Sequence, residues 1–157
     1  MSVEAIITYI VNVEVAIWRD SEWLLVERGA REVHASGLVS LVGGKVEEDE
    51  PVDDVVEAAA RREVLEELGI SLKGPLHYVS SSSFSLPSGS AVVNLVFASC
   101  LDGDAVPQSI NTDEVGRIFW MSAQDVEAST IIPVWTKRAV GIAESVRRRV
   151  ILMSARV

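Results

Sequence analysis

The apolar positions of this chain recur with two periods, and those periods divide it into strands and helices. Tyr9–Trp18 is rich in Val and Ile and alternates imperfectly, which predicts a strand. Arg19-Asp20-Ser21-Glu22 is a polar turn, and Trp23–Glu27 follows as a second strand, so the two make a hairpin. Arg28–Gly37 is polar and irregular. Leu38–Leu41 predicts a short strand that runs into Gly43-Gly44. Pro51–Leu68 predicts a helix. Pro51 suits the first helical position, Asp53 and Asp54 complement the positive end of the dipole, and Gly69 suits the left-handed residue past the end. Leu76–Leu86 and Ala91–Cys100 predict strands joined by the turn Pro87-Ser88-Gly89-Ser90, and Arg117–Met121 a further short strand. Val134–Val150 predicts a closing helix with Trp135, Ala139, Ile142 and Val146 on one side. Its Arg147-Arg148-Arg149 reads as a solvated helix end. Helices separated by runs of strands imply a mixed sheet with helices packed on its faces.

Composition narrows the class. The 157 residues suit one domain with a full core, residues 1–157, and 48% hydrophobic with 24% charged residues is ordinary for a globular chain. A net charge of −9 argues against a nucleic-acid-coating surface or an anionic membrane as partner. The single Cys100 excludes an intrachain disulfide and fits a reducing compartment. Met1-Ser2-Val3-Glu4 lacks the basic start of a signal peptide, and no uncharged apolar run reaches the roughly 20 residues that span a bilayer. The expectation is a cytoplasmic protein.

The chemistry concentrates in Arg62–Ile70. Glu63, Glu66 and Glu67 are spaced i, i+3, i+4 and project from one helix face. At about 100° per residue they lie at about 0°, −60° and +40°, continuing the stripe of Val52, Val55, Val56, Ala59 and Ala60. Val64, Leu65 and Leu68 form a different apolar side. The acids therefore fall where the helix heads into the protein, and burying them unpaired would cost several kcal/mol each or force protonation. Two resolutions stand: a cleft that holds divalent metal ions, or a helix end in which Arg62 and Lys73 neutralise the acids. Gly43-Gly44-Lys45 precedes the helix. Its glycines let backbone approach a ligand and leave carbonyls free for metal, and Lys45 supplies a compact charge for a phosphate.

These residues resemble the Nudix hydrolase family. Its box reads glycine, five residues, glutamate, seven residues, then Arg-Glu-aliphatic-x-Glu-Glu-x-Gly-aliphatic. Gly44 and Glu50 match the start, and Arg62, Glu63, Val64, Glu66, Glu67, Gly69 and Ile70 match the end. Eleven residues rather than seven separate Glu50 from Arg62. Four residues make about one helical turn, so the expectation is a helix lengthened at its N-terminal end, which leaves Glu50 the doubtful member of the metal site. Val42 stands where the family usually has proline.

The resemblance implies an α/β fold, a compact α/β/α sandwich with a mixed β-sheet. It implies hydrolysis of a diphosphate bond in a nucleoside diphosphate linked to another group, with Mg²⁺ or Mn²⁺ held by Glu63, Glu66, Glu67 and the Gly43 carbonyl, and Glu50 the uncertain member. Glu63, oriented by Arg62, would take a proton from water, unless Asp113 or Glu114 does so. Arg28, His34, Gly44 and Lys45 are the substrate-binding candidates. Phe84 and Trp120 read as core residues that could stack on a base, and His77 as a strand residue. The substrate is a small nucleotide: a (d)NTP, ADP-ribose or a nucleotide sugar. Thr130–Pro133 holds no amide or acid to read an oxidised purine, and Pro87 only loosely matches the proline of ADP-ribose hydrolases. A homodimer is among the assemblies the family implies. Two other readings are a Nudix-fold module that senses a nucleotide without cleaving it, and a structural domain whose acidic helix has no chemistry.

Overall fold

The computed structural model describes residues 6–29 and 37–156. Among them the chain runs β1 (Tyr9–Arg19), β2 (Glu22–Arg28), β3 (Val39–Ser40), β4 (Val42–Lys45), α1 (Val55–Leu68), β5 (His77–Ser85), β6 (Ala91–Cys100), β7 (Val115–Ser122), α2 (Ala123–Ala128) and α3 (Val134–Ser154). The strands form one mixed sheet. β1 pairs in parallel with β6 from Tyr9 to Trp18. Its other edge is shared: Asn12–Val15 pair with β4 and Ile17–Arg19 with β2, both antiparallel. β2 also pairs with β3 and β7, and β5 closes the far side against β6. The sheet thus forks along β1, with β4 on one branch and β2 on the other.

The imperfect alternation of β1 has a simple cause: both of its faces are covered. Val13, Val15 and Ile17 pack with Ala59, Ala60, Val64 and Leu68 of α1. Ala16 and Trp18 face the other way, against Val126 of α2 and Ala139, Val140, Ala143 and Val146 of α3. The result is the expected α/β/α sandwich. Each fully buried aliphatic in these layers contributes roughly 1.5–3 kcal/mol. The described residues include no helix long and apolar enough to cross a membrane.

Most elements lie where the apolar pattern puts them, and the departures are local. The first helix starts at Val55, not Pro51; its cap, Asp54, is left-handed at φ 52°, and Val52 is 97% exposed. The four additional residues before Arg62 are therefore taken up in the loop, and no helical turn is added. Leu38–Leu41 does not make one strand running into a loop: Val39–Ser40 pair with β2, and Gly43 and Gly44 are themselves strand residues paired with Glu14 and Val13. Trp135 and Leu65, expected on buried sides, are 62% and 51% exposed, while Thr136 and Val140 take the inner face of α3. The six-residue α2, started by the Ser122 hydroxyl accepting from Asp125 N–H, is too short to show a period in the sequence.

Candidate active site

α1 turns Glu63 and Glu67 inward with its apolar face and Glu66 outward. Glu63 and Glu67 are 8% and 6% exposed, whereas the Glu66 side chain is 56% exposed. The expectation that all three acids head into the protein holds for two of them. Burial pushes the Glu63 carboxyl above the usual carboxylate range; Arg62 opposes the shift, and the charges of Glu66 and Glu114 add to it.

Arg62 is the hub. Its Nε donates to Glu50 Oε1 at 2.7 Å, Nη1 to Glu63 Oε1 at 2.9 Å and Glu66 Oε2 at 3.0 Å, and Nη2 to the Lys45 carbonyl at 2.9 Å. Burial alone would favour deprotonation, but the Glu50 and Glu63 carboxylates outweigh it and hold the guanidinium charged. Glu50 is drawn fully into the cluster, its side chain 5% exposed. A helix lengthened by one turn would have carried it away; the loop before Val55 brings it back. Lys73, the other candidate neutraliser, is exposed and forms no ion pair among the described residues.

The two glycines of β4 serve different surfaces. A Cβ on Gly44 would overlap the Glu63 carboxylate, so this residue makes room for the acid. A Cβ on Gly43 would overlap the Val13 carbonyl, so that residue permits β4 to lie against β1. Alternation along β4 then sends the Lys45 side chain to the face opposite Glu63, while its carbonyl stays at the Arg62 guanidinium.

The segment before β7 is tied to the end of α1. Ile110 N–H donates to the Glu67 carbonyl and Gln108 N–H to that of Leu68, capping carbonyls that lack helical partners. Gly29 N–H donates to the Glu114 carbonyl at 2.8 Å, and the Gly29 Cα abuts the Asp113 backbone. These ties set Glu114 where its charge acts on Glu63. Arg28, just before Gly29, exerts its charge on Glu14. His34 lies outside the described residues. Trp120 packs in the α1-side core, Phe84 is half exposed, and His77 lies beside the Trp18 ring.

Sequence reasoning missed Glu14, Asn12 and Asn94. Asn12 Nδ2 donates to Asn94 Oδ1 at 2.8 Å, and Asn94 Nδ2 to Glu14 Oε2 at 2.6 Å. Burial raises the Glu14 carboxyl above its ordinary range, with the Asn94 bond and the Arg28 charge opposing. The signal was present: a glutamate flanked by valines inside a strand buried on both faces.

The donor set around Glu63 is oxygen only, carboxylates and backbone carbonyls, which is the set hard divalent cations take. A cation there would offset the cost of burying Glu63 among like charges. As they stand, no three acidic, histidine or cysteine side chains among the described residues converge closely enough to hold an ion. The chemistry of these oxygen donors fits such an ion.

The mixed sheet between helical layers sets the Arg62–carboxylate cluster of α1 against the glycines of β4. The NUDIX domain family model matches residues 8–140, and the chain belongs to that family as a Nudix hydrolase. Members generally work with divalent metal ions. The MutT NUDIX hydrolase of Burkholderia pseudomallei is 27% identical over 85% of this chain and 97% of its own, with a TM-score of 0.71. The MutT protein of Methanosarcina mazei Go1 shares the fold at 23% identity, covering 93% and 99%, TM-score 0.73. So does the NUDIX domain of Shewanella oneidensis NrtR, solved with ADP ribose, at 18% identity, covering 96% and 94%, TM-score 0.67. No curated protein matches the chain.

Proposed function

We propose that this protein hydrolyses the diphosphate bond of a nucleoside diphosphate linked to another group, with Mg²⁺, or Mn²⁺ in its place, as the ion. The observation that carries this reading is the Arg62 cluster: one guanidinium joins Glu50, Glu63, Glu66 and the Lys45 carbonyl, with Glu63 lodged against Gly44. Glu63, Glu66, Glu67 and the Gly43 carbonyl would hold the ion. The ion supplies neutralisation of phosphate oxygens and a bound water of lowered pKa. Glu50 positions Arg62, and Arg62 orients Glu63, whose raised proton affinity suits it to take a proton from water. Glu114 stands near enough to act on Glu63 electrostatically and is the alternative base. The Shewanella domain alike in fold was solved with ADP ribose, a molecule of the proposed substrate class.

Formation of the nucleoside monophosphate from (d)NTPs, ADP-ribose and nucleotide sugars, with Mg²⁺ and with Mn²⁺, tests this. At least one substrate is turned over, and Glu67→Gln lowers that turnover by about 10²–10⁴-fold while folding normally. Full activity in that variant removes the proposed site. Tight nucleotide binding with no cleavage of any substrate replaces the enzyme with a sensor module.

A further inference from the structure

Residues 74–101 include no Asp, Glu, Lys or Arg, in a chain that is 24% charged with a net charge of −9. They contain the β5–β6 hairpin. β6 lies between β1 and β5, so burial accounts for its lack of charge. β5 has no such reason. Its outer edge pairs with no strand among the described residues, and Tyr78 and residues 81–85 are exposed.

An open edge is a template for another chain, and proteins guard it with short strands, charges, proline or bulges. The other edges of this sheet are guarded. β3 has two residues, and β4 has four and ends in Lys45. β7 displays Arg117, whose side chain is 70% exposed, just after Asp113 and Glu114. β5 offers nine residues. Its one irregularity falls between Tyr78 and Ser80, so residues 80–85 pair regularly with β6 and carry neither charge nor proline.

The end of α3 adds a second bare surface. Thr136 in its first turn donates to the Val39 carbonyl of β3, and the helix also packs on β6 and β5, so it crosses the sheet from the β3 side to the β5 side. Val146 is its last buried residue, and Ile151, Leu152 and Met153 beyond it are 48%, 63% and 73% exposed. Three successive helical residues span about 200°, so one face of the helix cannot hide them from water. Leu152 and Met153 line a cleft with Arg149 and Arg156.

Ser80, Ser82 and Phe84 lie on the face that α3 covers, since Ser80 pairs with Val96 of that core. The α3 layer packs on Val79 near the start of β5 and leaves Phe84 near its end half exposed.

We infer that β5 is the seam of a homodimer in which two copies pair antiparallel about a two-fold axis at Ser82. In that register Ser82 meets its own counterpart, and Ser80 lies opposite the partner's Phe84. The end of α3 then meets that ring, so the two apolar features each copy leaves bare on this face cover one another. Charge selects a second copy as the occupant. Two molecules of net charge −9 repel wherever their acids meet, and this strand brings none to the seam. A seam led by one strand is at the small end of interface sizes, so the dimer forms as concentration rises.

Sedimentation velocity on the full chain over about a hundredfold range of concentration tests this. The wild-type protein moves from monomer to dimer mass, and does so more readily in higher salt, which screens the net charge and leaves an uncharged seam intact. Ser82→Lys sets two like charges against each other and keeps the protein monomeric. Leu152→Glu weakens the dimer by about tenfold or more. Both variants melt as the wild type does in dilute, monomeric solution. In a Cys100→Ser background with an added thiol oxidant, Ser82→Cys forms a disulfide-linked dimer, and Ser145→Cys on the exposed side of α3 does not. A wild-type protein that stays monomeric at every concentration overturns the inference. So does a dimer that Ser82→Lys leaves unchanged, or one that salt dissociates.

Discussion

Glu63 shows at the scale of one residue how a functional group opposes the fold that holds it. It is buried, beside Glu66 and within the influence of Glu114, with Arg62 as counterweight. Burial wins, so its proton affinity is raised. A raised carboxyl contributes stability that is present below its unfolded value, near 4.5, and lost as pH rises through the folded value. At neutral pH the ionised side chain therefore costs stability in metal-free protein. Glu63→Gln is expected to melt at the same or a higher temperature than wild type at pH 7 without metal, and the difference to shrink as pH falls below about 4.5, even though catalysis is lost. A melting temperature several degrees lower in the variant contradicts this account. The same tension was legible in the sequence, where acids continued an apolar stripe. What the stripe could not show is that Glu66 leaves it, since about 60° of helical phase separates a buried position from a wet one.

At the scale of an element, β4 carries two glycines with separable duties. Gly43→Ala drives a methyl into the Val13 backbone, which has no rotamer to yield, so the β1–β4 pairing gives way and stability falls by several kcal/mol. Gly44→Ala meets the flexible end of the Glu63 side chain, which swings aside. Its melting temperature stays close to wild type, while turnover drops by about tenfold or more as the carboxylate leaves its place. Chemical denaturation and kinetics on the pair separate the two roles; equal stability losses in both variants refute the division. The motif spacing identified these glycines, yet it suggested a loop around a ligand. Strand pairing with β1 is a non-local contact, and four residues with two glycines carry too little alternation to announce it. The start of α1 escaped for a related reason. Pro51, Asp53 and Asp54 are good first-turn residues by local preference, but the Glu50–Arg62 ion pair holds that segment out of the helix.

At the scale of the whole molecule, the layer opposite the active site is pinned to the sheet through Glu144. It accepts from Trp23 Nε1 at 3.1 Å and from Arg147 and Arg148 at 3.0 and 2.9 Å, and Arg147 also donates to the Asp20 carbonyl in the β1–β2 turn. Arg147 chiefly, with Arg148 and Trp23, holds the Glu144 carboxyl down at about 2, against the opposing effect of burial. A lowered carboxyl contributes stability that is present above its unfolded value, 4.5, and lost as pH falls toward 2. Glu144→Gln is expected to lower stability at pH 7 by on the order of 1–3 kcal/mol, a gap that closes by about pH 2. Urea unfolding across that range checks it, and a pH-independent gap would contradict the ion-pair account. The arginine run was visible and read as a solvated helix end, but α3 continues to Ser154 and the Arg147 side chain is only 14% exposed, held by Glu144 and the β1–β2 turn, partners on the hairpin that no local window shows.

The chain's own order of residues settled the type of most elements, the two-faced covering of the sheet and the Arg62–Ile70 signature, because periodicity and motif spacing are local properties that survive without knowledge of the fold. Tertiary structure decided which of those residues meet. It returned Glu50 to Arg62 through a loop, set Glu114 against Glu63 by capping the end of α1, and aligned Asn12, Glu14 and Asn94 from two strands about eighty residues apart. Those meetings depend on strand register and on backbone hydrogen bonds between distant segments, quantities that no window along the sequence contains.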